Sequence, residues 1–386
     1  MPRNGVSRRK VLKLTGASVG AVGTAGLGAG AEADRVEVNV GFANARGKEA
    51  ALDAAAGVKR EFDSIDAVTL DVSAEAVEGL ANNPNVRYVE ENGEMEALDT
   101  VAASDVEPED HYGDFVPWGI ERIDADVTHH CNETGVGANV AVIDTGIEAG
   151  HSDLDANLGN GACFTDCWTW PDWDDQNGHG THVAGTVGAA MNDSGVIGVG
   201  PDITLHAVKV LGSGGGGSFS DIAAGIEWSA DQGHDVANLS LGGGYSSVVH
   251  DACRYAENQG TLLVAAAGND GCWDCVSYPA ALDECIAVSA TTEWDSLASF
   301  SSYGPEVELA APGENVLSTY LNDGYDELSG TSMASPHVAG VGGLLMANGY
   351  SASQARSRMC ETAEDIGLPS DEQGCGLVDA ASALGC

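Results

Sequence analysis

Three short segments carry side chains whose types and spacing suit nucleophilic chemistry. Val140-Ala141-Val142-Ile143-Asp144-Thr145-Gly146-Ile147 ends an apolar run on a carboxylate, followed by a turn glycine. Open α/β sheets place functional groups there, at the carboxyl end of a buried strand. Asn177-Gly178-His179-Gly180-Thr181-His182-Val183-Ala184-Gly185-Thr186 opens a helix of small residues on a histidine. Ser329-Gly330-Thr331-Ser332-Met333-Ala334-Ser335-Pro336-His337-Val338-Ala339-Gly340 puts a serine at the start of a Gly- and Ala-rich helix. The first N–H groups and the dipole of that helix face any oxyanion developing near the serine. A serine hydroxyl is a poor nucleophile until a neighbouring base takes its proton. His179 is the candidate base, and later the acid for a leaving amine. Asp144 is the candidate carboxylate that fixes the imidazole tautomer and stabilises the imidazolium. Singly, Asp144 reads as a turn aspartate and Ser332 as a helix cap. In this order, 35 and 153 residues apart, the three point to acyl transfer.

The surrounding pattern supplies the elements that would position them. Val140-Ala141-Val142-Ile143, Leu205-His206-Ala207-Val208-Lys209-Val210, Val236-Ala237-Asn238-Leu239 and Thr261-Leu262-Leu263-Val264-Ala265 are short and almost continuously apolar. Such runs suit strands of a parallel sheet buried on both faces. Helix candidates lie between them, including His182 to Met191 and Asp221 to Gln232. The expected fold is α/β, a doubly wound, mostly parallel sheet flanked by helices.

At these three segments, and over almost the whole region from Trp118 onward, the sequence resembles the subtilisin family of serine proteases, in the chain order Asp, His, Ser. The resemblance implies a subtilisin-like catalytic domain at 118–386 that hydrolyses peptide bonds in protein and peptide substrates through an acyl-enzyme. Ala265-Ala266-Ala267-Gly268-Asn269-Asp270 resembles the family segment that supplies an asparagine to the oxyanion hole, so Asn269 and the Ser332 N–H are assigned there. Ser240, Leu241 and Gly242 look like one edge that grips the substrate backbone, and Gly215, Gly216 and Gly217 like the other. The small residues Ala266, Ala267 and Gly268 leave a roomy pocket, which suggests a preference for large apolar side chains. Asp153 matches a calcium carboxylate of the family, although the partner loop Met191–Val196 departs in length. The resemblance implies no organic cofactor and a monomer. It also places Cys285 and Cys360 where proteinase-K-like members carry a bridged pair. A metal reading of His179 with His182, one helical turn on, would make the chain a metal hydrolase. The resemblance instead makes His182 a packing or hydrogen-bonding residue.

Upstream of the candidate domain, three stretches differ in character. Residues 1–31 hold five basic residues and no acidic ones. Ser7-Arg8-Arg9-Lys10-Val11-Leu12-Lys13 resembles a twin-arginine motif, followed by a weakly apolar Gly/Ala run that suits export rather than a stable membrane anchor. Residues 32–106 read as a small α+β unit. Strands are expected at Val36–Val40, Ala67–Val72 and Val86–Glu90, with helices at Glu49–Arg60 and Ala74–Asn82, the second capped by Ser73. Their order resembles the ferredoxin-like inhibitor propeptide of subtilisin-type proteases, an intramolecular inhibitor cut away on maturation. The polar stretch 107–117 reads as the linker holding a maturation site.

Charge and cysteines narrow the setting. The formal net charge is −43, and residues 107–386 carry five basic residues against 42 acidic ones. Such a surface repels nucleic acid and anionic membranes. It also repels itself unless salt screens it, and the screening length falls to roughly 3 Å at 1 M. This points to a high-salt medium. The ten cysteines fit an oxidising compartment and permit five bridges. Cys163/Cys167 and Cys272/Cys275 are close pairs. The leading reading is a secreted, extracellular endopeptidase of broad specificity. A narrowly specific processing protease and a non-enzymatic protease relative that binds proteins are the alternatives.

Overall fold

The computed structural model describes residues 35–98, the backbone of 101–102, and 114–386. The export signal read at 1–31 and most of the linker read at 107–117 lie outside the described residues. The chain divides into two compact units, one ending at Asn92 and one running from Gly93 to Cys386.

The first unit runs β1 (Arg35–Phe42), α1 (Ala45–Ala54), β2 (Gly57–Glu61), β3 (Ala67–Ser73), α2 (Ala74–Ala81) and β4 (Val86–Glu91). Its antiparallel sheet has the order β2-β3-β1-β4, a ferredoxin-like arrangement. Val38, Val40, Val68, Leu70, Val72 and Leu80 form its core. Ser73 caps α2 through the Ala76 N–H, as expected. The helix expected over Glu49–Arg60 instead begins at Ala45, behind the Asn44 cap, and ends at Ala54. Val58 and Arg60 pair with β3. Gly57 weakens any continuation of the helix, and strand pairing takes the residues that follow.

The second unit contains β5 (Glu94–Ala97), β6 (Val101–Ala102), α3 (Trp118–Arg122), α4 (Ala125–His130), β7 (Asn139–Asp144), β8 (Ala162–Cys163), α5 (His179–Gly188), β9 (Thr204–Lys209), β10 (Gly216–Ser218) and α6 (Phe219–Asp231). It continues with β11 (Val236–Leu239), β12 (Leu241–Gly243), α7 (Ser247–Gln259), β13 (Leu262–Ala266), β14 (Cys285–Thr291), β15 (Val307–Pro312), β16 (Val316–Tyr320), β17 (Gly324–Ser329), α8 (Thr331–Ala347), α9 (Ala352–Thr362), α10 (Ser370–Gln373) and α11 (Ala380–Leu384). Seven strands form one parallel sheet in the order β15-β14-β13-β11-β7-β9-β8. The four apolar runs of the sequence are four of these strands. α5 begins at His179 rather than His182, so the histidine itself opens the helix.

Helix α8 is buried along Thr331–Leu345 and packs on β11, β13, β14 and β15. A helix apolar on all sides belongs inside a fold, which explains why the segment behind Ser332 is so rich in Gly and Ala. No helix among the described residues is long and apolar enough to cross a membrane.

Disulfides join Cys163 to Cys167, Cys272 to Cys275, and Cys360 to Cys375. The resemblance placed Cys360 with Cys285. In this chain Cys375 lies beside Cys360, and the buried Cys285 sits against Cys253 instead.

Candidate active site

β7 ends on Asp144, which is fully buried. Its Oδ1 accepts the Thr145 N–H at 2.7 Å and lies 2.7 Å from His179 Nδ1. Two features bring α5 this close. Gly180 leaves no side chain to collide, because a Cβ there would stand 2.2 Å from the Gly146 carbonyl and 3.1 Å from Asp144 Cβ. The Gly180 N–H also donates to Thr145 Oγ1 at 2.9 Å. Asp175 then closes the first turn of α5, accepting the N–H groups of Gly178 and Thr181 and the Thr181 hydroxyl. A carboxylate suits the positive end of a helix.

His179 is buried, and its Nε2 has no hydrogen-bond partner. Burial pulls its pKa down. The charge of Asp144, their hydrogen bond and the charge of Asp175 outweigh burial, leaving the imidazole above its ordinary value. That is the setting of a base held in one tautomer, with Nδ1–H toward a carboxylate and Nε2 open.

Ser332 is the second residue of α8 and is fully buried. Its Oγ donates to the Ser240 carbonyl at 3.2 Å rather than to His179 Nε2. Ser240 Oγ in turn donates to the Ser332 carbonyl at 2.9 Å. Asn269 Oδ1 accepts both the N–H and the hydroxyl of Thr331 at 2.9 Å. The amide nitrogen is thereby turned toward Gly330, where a Cβ would stand 3.1 Å from it. The structure thus brings Asn269 to the N-terminus of α8, one residue from the serine.

The two expected gripping edges flank one strand of the chain itself. β5 lies between β10 and β12 in a three-stranded antiparallel sheet. Met95 faces Gly217 and Gly243, Glu96 faces Gly216 and Gly242, and Ala97 faces Leu241. The Ala97 N–H donates to the Gly215 carbonyl at 2.8 Å. Met95 is buried, at 1% exposure. The Leu98 side chain reaches the Gly242 backbone, where a Cβ would stand 2.9 Å from Leu98 Cδ2 and 3.0 Å from Ser277 Cβ. The backbone of β6 pairs with β17, Val101 opposite Ser329 and Ala102 opposite Leu328. Ser240 pairs with none of β5 and is bonded to Ser332 instead.

Asp153 is fully buried and surrounded by donors. Its Oδ1 accepts Asn192 Nδ2 at 3.1 Å, and its Oδ2 accepts the Val196 N–H at 3.0 Å and the Tyr325 hydroxyl at 2.9 Å. The loop Met191–Val196 supplies the first two of these donors. Among the described residues, no group of three or more His, Cys, Asp or Glu could hold a metal ion. His182 Nε2 is committed to the carbonyls of Val316 and Asp326.

The family is decided by comparison. Residues 135–377 match the Subtilase family, and residues 30–92 match the fervidolysin N-terminal prodomain. The chain belongs to the subtilase family. It is 44% identical to the M-protease of Shouchella clausii over 326 residues, covering 84% of this chain and 80% of that protein. It is 43% identical to the thermostable alkaline protease of Halalkalibacterium halodurans over 329 residues, covering 84% and 85%. Subtilisin Savinase of Lederbergia lenta is 47% identical over 271 residues, covering 69% of this chain and 98% of that protein. As a subtilase the chain is a serine endopeptidase. Three features of the subtilase site escaped the sequence reading. Asp175 lacks a motif of its own. Lys209, whose ammonium donates to the Thr145 carbonyl beside Asp144, reads in the sequence only as the end of an apolar strand. Glu94-Met95-Glu96-Ala97-Leu98 carries a period-two alternation, which was signal enough for a strand.

Proposed function

We propose that Asp144, His179 and Ser332 act as the catalytic triad, with Asn269 and the Ser332 N–H as the oxyanion donors. Ser332 Oγ attacks the scissile carbonyl as His179 Nε2 takes its proton. Asp144 holds the imidazolium, and the same proton passes to the leaving amine. Water then attacks the acyl-enzyme ester by the same proton path. The observation that carries this reading is the 2.7 Å contact of His179 Nδ1 with Asp144 on a histidine whose Nε2 is open.

β5 supports the substrate reading. A peptide taken as β5 is taken would be held mainly by its backbone, with large apolar side chains at the positions of Met95 and Leu98. Broad specificity with that preference follows, and with it the first maturation cut, after Leu98. The inhibitor read at 32–106 then ends at Leu98, with 99–117 trimmed afterwards. The enzyme works outside the cell as a monomer, exported by the twin-arginine route, and depends on salt because its carboxylates lack counter-charges.

The deciding experiment expresses the precursor in high salt as wild type and as Ser332→Ala. The wild type is expected to mature, to yield a fragment ending at Leu98 and to hydrolyse casein. The variant is expected to stay full-length and inactive. Maturation of the Ser332→Ala chain at the wild-type rate would remove the triad assignment. A peptide library cut only after one basic sequence would favour a dedicated processing protease. Full activity on dilution to low ionic strength would remove the salt reading.

A further inference from the structure

Six of the ten cysteines are joined in three bridges. The other four, Cys131, Cys253, Cys285 and Cys386, fall into two pairs. Cys131 follows α4, and its N–H bonds back to Val127 and Thr128. Helix α11 packs against α4. Beyond it the Cys386 N–H returns to the Ala381 carbonyl at 3.0 Å, which curls the C-terminus back. That curl brings the Cys386 thiol into hydrogen-bond contact with Cys131. Cys253 lies on the buried face of α7 and Cys285 opens β14, both against β13. These two thiols also contact each other, wholly inside the fold.

We propose that Cys131–Cys386 and Cys253–Cys285 are two further disulfides of this enzyme, completing a five-bridge set. In each, two S–H bonds break and one S–S bond forms. The two protons and two electrons pass to an oxidising disulfide, small-molecule or protein, which becomes two thiols. Secreted proteins meet such oxidants. The Cys131–Cys386 ring spans Asp144, His179 and Ser332, so it ties together the two ends of the stretch that carries them. Burial, together with the Cys131 contact, pushes the Cys386 thiol up to about 11.

The test uses enzyme harvested from oxidising medium, unfolded in denaturant with a thiol-alkylating maleimide, digested and read by mass spectrometry. The expected result is no alkylated cysteine without reductant, ten alkylated cysteines after it, and cross-linked peptides joining 131 to 386 and 253 to 285. Alkylated Cys131, Cys253, Cys285 or Cys386 in the unreduced sample, or a bond from any of them to another partner, overturns the proposal. A double-mutant cycle on Cys131→Ser and Cys386→Ser gives a second reading. Each single change is expected to lower Tm as much as the double change. Additive losses would mean two independent thiols.

Discussion

Lys209 stands beside Asp144 in the parallel register of β7 and β9, and both side chains are fully buried. The Lys209 ammonium donates to the Thr145 carbonyl, at the turn that leaves Asp144. Burial pulls its pKa down, while Asp175, Asp144, Asp166 and Asp174 hold it up. It is the only lysine among the five basic residues of 107–386, and it anchors the turn that carries the carboxylate of the proposed triad. Lys209→Met keeps the chain length but leaves the carbonyl without its donor. The expected cost is about 1–3 kcal/mol of stability, with kcat falling more than KM rises. Thermal unfolding and steady-state kinetics in high salt check this. An unchanged Tm and kcat would show the anchor to be dispensable.

With His179 as the proposed base, its raised pKa would set the acid limb of activity. The base must be neutral, so kcat/KM is expected to fall as pH drops through a value above the ordinary 6.5. Asp144→Asn removes the charge that holds the imidazolium, so the limb should move to lower pH. It also loses the correct tautomer, and kcat is expected to fall on the order of 10⁴-fold. A pH–rate profile of both proteins checks the direction; a limb that stays in place would uncouple Asp144 from His179.

Three other histidines bear on stability rather than chemistry. Burial holds His182 and His234 down to about 3 and His337 to about 4, with neighbouring histidines adding to the effect for the first two. An unfolded chain takes up protons near 6.5 that these folded sites refuse. Their contribution is thus complete above about 6.5 and is lost as pH falls toward about 3. Denaturant midpoints measured at constant high salt are expected to decline across that window. His234→Gln should flatten the decline.

The donors around Asp153 predict how the enzyme answers to chelators. Tyr325→Phe removes the hydroxyl held at 2.9 Å and is expected to cost about 1–3 kcal/mol. If the donors alone hold the carboxylate, the loss in Tm should be the same with and without a calcium chelator. A loss that appears only in chelator would place calcium at Asp153.

The candidate site was largely legible in the sequence because each residue of the proposed triad sits at an element end that its neighbours dictate. Asp144 ends an unbroken apolar run, and Ser332 opens a helix whose small residues fit only a crowded interior. What was not legible depends on contacts made at long range. Asp153 keeps the residue type of a calcium carboxylate, but the donors its loop turns toward it are not displayed by the sequence. Cys285 kept its position, but its neighbour in space is Cys253 on α7. The helix expected to reach Arg60 stops at Ala54; Gly57 is a local signal against its continuation, but the pairing with β3 that takes the residues beyond is made at long range.

The strand β5 is bonded along both of its edges, to β10 and to β12. A groove of that kind is one strand wide. A segment enters it only with neither edge already spoken for, so a strand inside a hairpin or sheet must first be torn from its neighbours. On the proposed reading of β5 as a stand-in for substrate, such a groove selects unpaired backbone before it selects any side chain. The enzyme's own tightly paired sheets would then be poor prey, and a loosened protein would be consumed ahead of one that keeps its fold.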